Sequence, residues 1–408
     1  MNSESAVISA VCKNKDIGVV LGENVTDLFV SHSDVIHGLI SYYHKYNAVP
    51  DVEVLTNRFG QFVPEETTAP TQYYLDELRE SFMQQKLKQT LLTAGKSLSG
   101  DTATRTLDAL IKDVTTLAKY STTVKDLNVT DVKAAEQHYD SIRLMRDSND
   151  GSVGIKTGLR AIDASMPAGF AAGNLVIMLG YSGRGKTWLS GYFAKQAFLQ
   201  GKKPMIVSME MTAAAMRDRI YATLGDGMFR MADFQTGSID TDDFRTWSKN
   251  NVANKQDFII VSSDGIAEVT PSVLQAKIDQ HKPDIVVVDY IQLMSDGTGS
   301  RNETEKIRNI SRDLKRLALR NNIPIIAISA VTASDLTVPD SPPMLEQVSW
   351  SRSIQYDADV AMAVHRYDDT DIMEIVSRKN RSGPEFCVYM NVDFSKGEMT
   401  ENFTGLDG

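Results

Sequence analysis

The sequence predicts an α/β fold. A mainly parallel β-sheet is flanked by helices and extended by C-terminal antiparallel strands, with a small all-helical domain in front. Three observations predict it. The first 120 residues carry apolar side chains at helical spacing. From residue 155, short apolar runs alternate with helical stretches. After residue 355, helices give way to consecutive strand-like segments.

In chain order, residues 1–120 form a helical interaction domain. Residues 32–46 and 71–92 repeat apolar side chains every three or four positions. Pro50, Gly60, Pro64 and Pro70 separate such stretches. Residues 121–154 read as a linker. Within it Val132, Ala135, Tyr139, Ile142 and Met145 form one apolar stripe of helical period. Such a helix buries its stripe either on its own domain or on a neighbouring subunit. Residues 155–408 form the α/β domain. Its expected buried strands are 174–180, 204–210, 257–263, 284–290 and 324–329, each a nearly continuous apolar run. Helices are expected at about 185–200, 212–224, 270–281 and 302–321. The segments ADVAMAVHR, IMEIVSRK and FCVYMNVDF read as antiparallel strands joining the sheet.

Composition narrows the function classes. With 53 acidic and 43 basic residues the formal charge is −10, so any nucleic-acid contact must come from local basic loops. Cys12 and Cys387 are the two cysteines. They exclude a zinc ribbon or a disulfide framework and fit a reducing cytoplasm. No segment approaches the roughly 20 apolar residues of a membrane span, and the N-terminus lacks a basic leader, so a soluble cytoplasmic protein is expected.

The chemistry is fixed by GYSGRGKT, residues 180–187, a match to G-x-x-x-x-G-K-[ST]. It follows an apolar strand and opens an apolar-periodic helix, the context this loop requires. Gly180, Gly183 and Gly185 let successive main-chain N–H groups converge on a polyphosphate at the helix N-terminus. Lys186 reaches the β- and γ-phosphates of ATP, and the Thr187 hydroxyl ligates Mg²⁺. Asp289 ends the apolar run DIVVVD. A carboxylate there points into the crevice where α/β sheets bind ligands, in position to hold the Mg²⁺ shell. Glu210 closes the strand IVSME. It is a candidate general base for water, or simply a residue preceding the helix that Thr212 caps.

Together, GIKTGLRAID, GYSGRGKT, VSMEM, PDIVVVDYIQLM, ISRDLKRLALRNNIPIIAIS, SIQYDAD and KNRSGP resemble the bacterial and phage replicative helicases of the DnaB type, members of the RecA-like ATPases. The resemblance spans nearly the whole chain and is strongest over 153–395. It implies a hexameric ring that couples MgATP hydrolysis to movement along single-stranded DNA, 5′ to 3′, and to unwinding at a replication fork. It implies a nucleotide site of Gly180, Ser182, Gly183, Arg184, Gly185, Lys186, Thr187, Trp188 and Asp289, with Glu210 as the catalytic glutamate. Lys379 and Arg381 match the basic pair that reaches the γ-phosphate of the adjacent subunit. Such an arginine finger is worth about 10³–10⁵ in rate. Read by charge alone, SRKNRSG is only a solvated basic turn.

The resemblance further implies a primase partner and a helicase loader, an N-terminal collar, and a linker helix packed on the next subunit. Ser349, Trp350 and Arg352 fall in the segment expected to grip DNA phosphates, with Trp350 either stacking on a base or packing in the loop. Residues 295–303 form a second candidate loop. Arg308, Arg312, Arg316 and Arg320 recur every four residues, which reads as a solvated or salt-bridged helix face. The chain departs from the family at Ala330, where a phosphate-sensing glutamine is usual. Alanine offers no side-chain hydrogen bond; Ser329 and Thr332 are the nearest hydroxyls. That departure keeps open a nucleotide-gated DNA clamp or primase-recruiting scaffold. A RecA-like recombinase is a further alternative.

Overall fold

The computed structural model describes residues 3–21, 25–97, 103–117, 128–149, 151–263, 268–297, 302–331, 340–345, 356–368 and 370–404. The chain divides into two compact units, Met1–Thr130 and Asp131–Gly408.

The first unit is helical: α1 (Ser3–Asn14), α2 (Ser33–Tyr46), α3 (Val52–Arg58), α4 (Thr71–Ser97) and α5 (Ala103–Leu117). Val7, Ile8 and Val11 of α1 pack with Ile36 and Leu39 of α2 and with Leu75, Leu78 and Phe82 of α4. One polar contact fixes the entry into α2. The buried Glu4 carboxylate accepts hydrogen bonds from the main-chain N–H groups of Val30 (3.1 Å), Ser31 (3.0 Å) and His32 (2.7 Å). It satisfies the buried main-chain N–H groups that lead into α2, whose own N-cap side chain makes no capping bond. Beyond Phe82, α4 exposes Leu87, Leu91 and Leu92.

The second unit opens with α6 (Val132–Ser148), capped by Asp131, whose side chain accepts from the Ala134 N–H at 3.0 Å. No residue of α6 is buried, and Val132, Tyr139 and Met145 stand exposed. Ala135 and Ile142 are half-buried, so among the described residues of this unit the apolar stripe read from the sequence is largely uncovered. After it come α7 (Arg160–Ser165), β1 (Leu175–Tyr181), α8 (Lys186–Leu199), β2 (Pro204–Ser208), α9 (Ala213–Gly225), α10 (Met231–Thr236), α11 (Thr241–Asn251) and β3 (Ile259–Ser262). There follow α12 (Pro271–His281), β4 (Ile285–Asp289), α13 (Glu303–Asn321) and β5 (Ile325–Val331). The chain ends with β6 (Val360–Arg366), β7 (Ile372–Asn380), β8 (Cys387–Asp393) and β9 (Glu398–Asn402).

The strands form one sheet in the order β3-β2-β4-β5-β1-β6-β7-β8-β9. Pairing is parallel from β3 through β6 and antiparallel from β6 to β9. The antiparallel extension starts one strand later than expected, since β6 lies parallel to β1. The strand β9, sequence EMTEN, is one the sequence pattern does not show: an edge strand needs little apolar content. Helices α10 and α11 are a second addition. They carry Phe229-linked aromatic packing, with Trp247 at 5.1 Å from Phe229 and Phe244 at 5.2 Å from Tyr221.

The pleat of β1 divides the core. Val176 and Met178 face a layer with Phe170, Phe193 and Ile206. Leu175, Ile177 and Leu179 face Ile307, Ile310 and Leu314 of α13. On the outer side of α13, Arg308 pairs with Glu305 at 3.6 Å and Arg316 with Asp313 at 3.1 Å. These pairs fit the salt-bridged face read for the arginine repeat. Phe193 of α8 is fully buried, with Phe170 edge-on at 5.1 Å. Phe193→Ala is expected to destabilise this unit by about 3–5 kcal/mol. A urea titration followed by circular dichroism would read this as a lower midpoint; an unchanged midpoint would contradict the packing.

Candidate active site

Every residue of β1 is buried, so the strand is a rigid base for the turn that follows it. In that turn Gly185 has φ +88°, the left-handed region that side chains disfavour. A Cβ on Gly185 would also collide with Met373 Cε and stand 2.7 Å from Phe394 Cζ. At Gly180 the constraint is close approach: a Cβ there would lie 2.8 Å from the Val364 carbonyl oxygen and 3.0 Å from Lys186 Cδ. Helix α8 begins at Lys186, so its first free N–H groups face the loop. The Lys186 ammonium donates to the Tyr181 carbonyl at 2.7 Å, folding back across the loop. Burial lowers its pKa, against the opposing charges of Asp289 and Glu210.

Parallel register brings the acidic groups to the same edge. Ser208 of β2 pairs with Asp289 of β4, and the Met209 N–H donates to the Asp289 carbonyl at 2.9 Å. Asp289 is only 1% exposed. Burial raises its carboxyl pKa; a hydrogen bond from Thr187 acts the other way, and the Glu210 charge adds to the rise. Glu210 is exposed just past the end of β2, in a turn tightened by the Ser208 hydroxyl, which accepts from the Met211 N–H at 3.2 Å. Thr212 then caps α9 through the Ala215 N–H at 3.2 Å. The strand thus stops at Ser208, two residues short of the expected end at Glu210, and Glu210 lies in the turn before the helix that Thr212 caps.

One further residue, Arg219, enters the site without a motif to announce it, beside the predicted Trp188, Arg184 and Ser182. Arg219 of α9 lies 4.7 Å over the Trp188 ring, and burial lowers its pKa against the pull of Asp289 and Glu210. Its Nε is buried with no hydrogen-bond partner among the described residues. The available signal was an arginine between the buried Met216 and Ile220 on a helix starting beside Glu210. Trp188 itself stacks on Phe394, with centroids 5.2 Å apart and planes 3° from parallel. Arg184 turns its guanidinium to Asp368, with a second bond to the Arg366 carbonyl at 2.9 Å. Ser182 is exposed at the tip of the loop.

At Ala330, Gln292 supplies an amide. Its Nε2 donates to the Ala330 carbonyl at 2.9 Å and to Ser329 Oγ at 3.1 Å. Its Oε1 accepts from the Ala330 N–H at 3.3 Å. The glutamine thus grips the main chain of β5 from the end of β4.

Lys379 and Arg381 lie elsewhere on the sheet. Lys379 Nζ donates to the Ala358 carbonyl at 2.6 Å, and Arg381 donates through Nη2 to the Tyr356 carbonyl at 3.0 Å. Both contacts sit at the start of β6, where the Asp359 N–H donates to the carbonyl of Leu175, the first residue of β1. The phosphate loop starts at the other end of β1. At about 3.3 Å per residue the two ends are roughly 20 Å apart. Ser349, Trp350, Arg352 and Thr332 lie outside the described residues.

These groups fit a magnesium-bound polyphosphate. Asp289 Oδ2 is buried without a hydrogen-bond partner among the described residues, beside the Thr187 hydroxyl. Among the described residues no cluster of three His, Cys, Asp or Glu could hold a metal. One hydroxyl and one carboxylate are what Mg²⁺ uses when water and phosphate complete its shell. Gly185→Ala should strain the loop by about 1–3 kcal/mol and weaken nucleotide binding by about tenfold or more. Titration with a fluorescent ADP analogue measures this; wild-type affinity would mean the loop does not wrap phosphate.

Residues 154–400 match the family model described as the DnaB-like helicase C terminal domain. The chain is 28% identical over 342 residues to the replicative DNA helicase DnaB of Geobacillus stearothermophilus, covering 78% of this chain and 72% of that one. It is 30% identical over 270 residues to the replicative DNA helicase DnaB of Pasteurella multocida, covering 61% and 56%. In fold it is similar to a DnaB-like replicative helicase solved for its interactions with primase, with a TM-score of 0.67, 19% identity and 98% of each chain covered. It is also similar to a second solved structure, an ATPase domain, with a TM-score of 0.58, 23% identity, and 68% of this chain and 100% of that one covered. With a phosphate loop, an acidic edge and a family match over most of its α/β unit, the chain belongs to the DnaB-like helicases and is an ATP-dependent replicative helicase of that type.

Proposed function

We propose that this helicase works as a homohexameric ring on single-stranded DNA, hydrolysing MgATP at sites shared between neighbouring subunits, moving 5′ to 3′ and separating duplex at a replication fork. The main-chain amides of residues 180–187 bind the phosphates. Lys186 leaves the Tyr181 carbonyl for the β- and γ-phosphates, Thr187 and Asp289 hold Mg²⁺, and Glu210 orients the attacking water. Lys379 and Arg381 of the adjacent subunit neutralise charge on the transferring phosphoryl group.

One observation carries the shared site: the basic pair sits at the opposite end of β1 from its own chain's phosphate loop, at a distance no lysine or arginine spans. The exposed Val132, Tyr139 and Met145 of α6 support the same reading, because they offer an apolar face that a neighbouring subunit can cover. We assign α6, within residues 121–154, as the linker that packs on the next subunit, and residues 1–120 as the collar. Ser349, Trp350 and Arg352 are assigned to the DNA backbone. A structural neighbour is described with primase, and we extend a primase contact and a loader to this chain.

Arg381→Ala is expected to lower turnover by about 10³-fold or more while ADP binding stays intact. Lys186→Ala is expected to lose both. The measurements are ATP turnover with and without single-stranded DNA, and strand displacement on a forked duplex. Ala330 favours the clamp as a second reading: DNA binding without strand displacement would establish it. Normal turnover by Arg381→Ala would remove the shared site.

A further inference from the structure

We infer that Asp359 is the positioning residue of the Arg381 finger, joining it to both segments expected to face DNA. The inference rests on the shared-site reading above.

Four elements meet at this one carboxylate. Asp359 Oδ2 accepts from Lys315 Nζ of α13 at 2.6 Å and from the Leu175 N–H, at the start of β1, at 2.8 Å. Its Oδ1 lies 3.5 Å from Arg381 Nη1. Its carbonyl accepts from the Arg381 N–H at 2.9 Å. Lys315 also donates to the Gly173 carbonyl at 2.9 Å, tying α13 to the residues just before β1.

The connections along the chain give this junction its meaning. Tyr356, whose carbonyl holds Arg381, follows directly on the segment that contains Ser349, Trp350 and Arg352. Helix α13, which carries Lys315, follows directly on the second candidate loop, residues 295–303. Displacement of α13 reaches the finger through the Asp359 carboxylate, which binds Lys315 and Arg381 together. Displacement of the other segment reaches it through Tyr356, which lies three residues before Asp359 and is bonded to Arg381. The end of β1 nearest this junction leads, through a buried strand, to the chain's own phosphate loop.

The charge balance suits orientation rather than capture. Asp359 is buried, and its closest cation is Lys315, which neutralises it before Arg381 does. The Arg381 side chain stays 52% exposed. A guanidinium held at 3.5 Å by an already paired carboxylate is aimed, yet free to exchange that contact for a phosphate oxygen on a neighbour.

The test uses the full-length protein. Asp359→Asn keeps the shape and an acceptor for the Leu175 N–H but removes the charge. Its DNA-stimulated kcat is expected to fall about tenfold or more, with KM for ATP and ADP affinity within about twofold of wild type, because the finger acts on the transition state of the neighbour's nucleotide. Co-expression with Lys186→Ala subunits separates positioning from damage. Those subunits cannot hydrolyse ATP but carry an intact finger, so mixed rings are expected to regain turnover per Asp359→Asn subunit. Three results overturn the inference: wild-type or raised turnover in Asp359→Asn while Arg381→Ala is inactive; a raised KM with unchanged kcat; or no recovery in mixed rings. Normal turnover by Arg381→Ala instead defeats the shared-site reading itself.

Discussion

A carboxylate with almost no access to water, Asp289, constrains everything around it. Burial disfavours its charge, so the ionised form needs a cation close by. Lys186 and Arg219 face it and suffer the same penalty, since burial lowers both of their pKa values. The three charged groups and Glu210 crowd together at the strand ends of β1, β2 and β4. Such a cluster is costly to fold around and suited to a ligand that brings its own alternating charges. A magnesium-bound triphosphate is that kind of ligand: its cation answers Asp289 and its phosphates answer the lysine and arginine. The parallel sheet fixes the geometry, because its register places Ser208 beside Asp289 and β5 between β4 and β1.

The contacts around the loop brace it against neighbouring elements. Gln292 lies three residues after Asp289 and clasps the main chain of β5 at Ala330. In this chain the side-chain amide thus comes from the β4 side of the pair, and the alanine supplies only backbone. Arg184 at the other flank of the loop is tied to Asp368, and the Asp368 N–H donates to Asp340 at 3.3 Å. The loop is therefore braced against the turn between β6 and β7. Each brace is a hydrogen-bonded side chain on a backbone atom or a carboxylate.

Much of this could be read from sequence for a physical reason. Strands buried on both faces must be almost wholly apolar, so 174–180, 284–290 and 324–329 were visible as runs. The phosphate loop needs glycines and Lys-Thr at fixed spacing, so GYSGRGKT was visible as a motif. The residues that escaped notice act across long separations. Asp368 meets Arg184 from 184 positions away, and Lys315 meets Asp359 from 44. Nothing local marks such a partner. Asp359 lies inside a quoted family segment, but only the fold shows what its carboxylate holds. The short strand β9 and the helices α10 and α11 escaped because edge strands and brief polar helices carry little periodic apolar signal.

The bare stripe of α6 also bears on how this protein survives in dilute solution. Within its unit the stripe keeps Tyr139 and Met145 wet, at 68% and 53% exposure. In the proposed ring, association that dries them would stabilise only the assembled form, so resistance to heat would rise with protein concentration by mass action. In that ring, dilution would loosen subunits and leave these helices open to misdirected pairing, so newly made chains would be safest when they meet partners early.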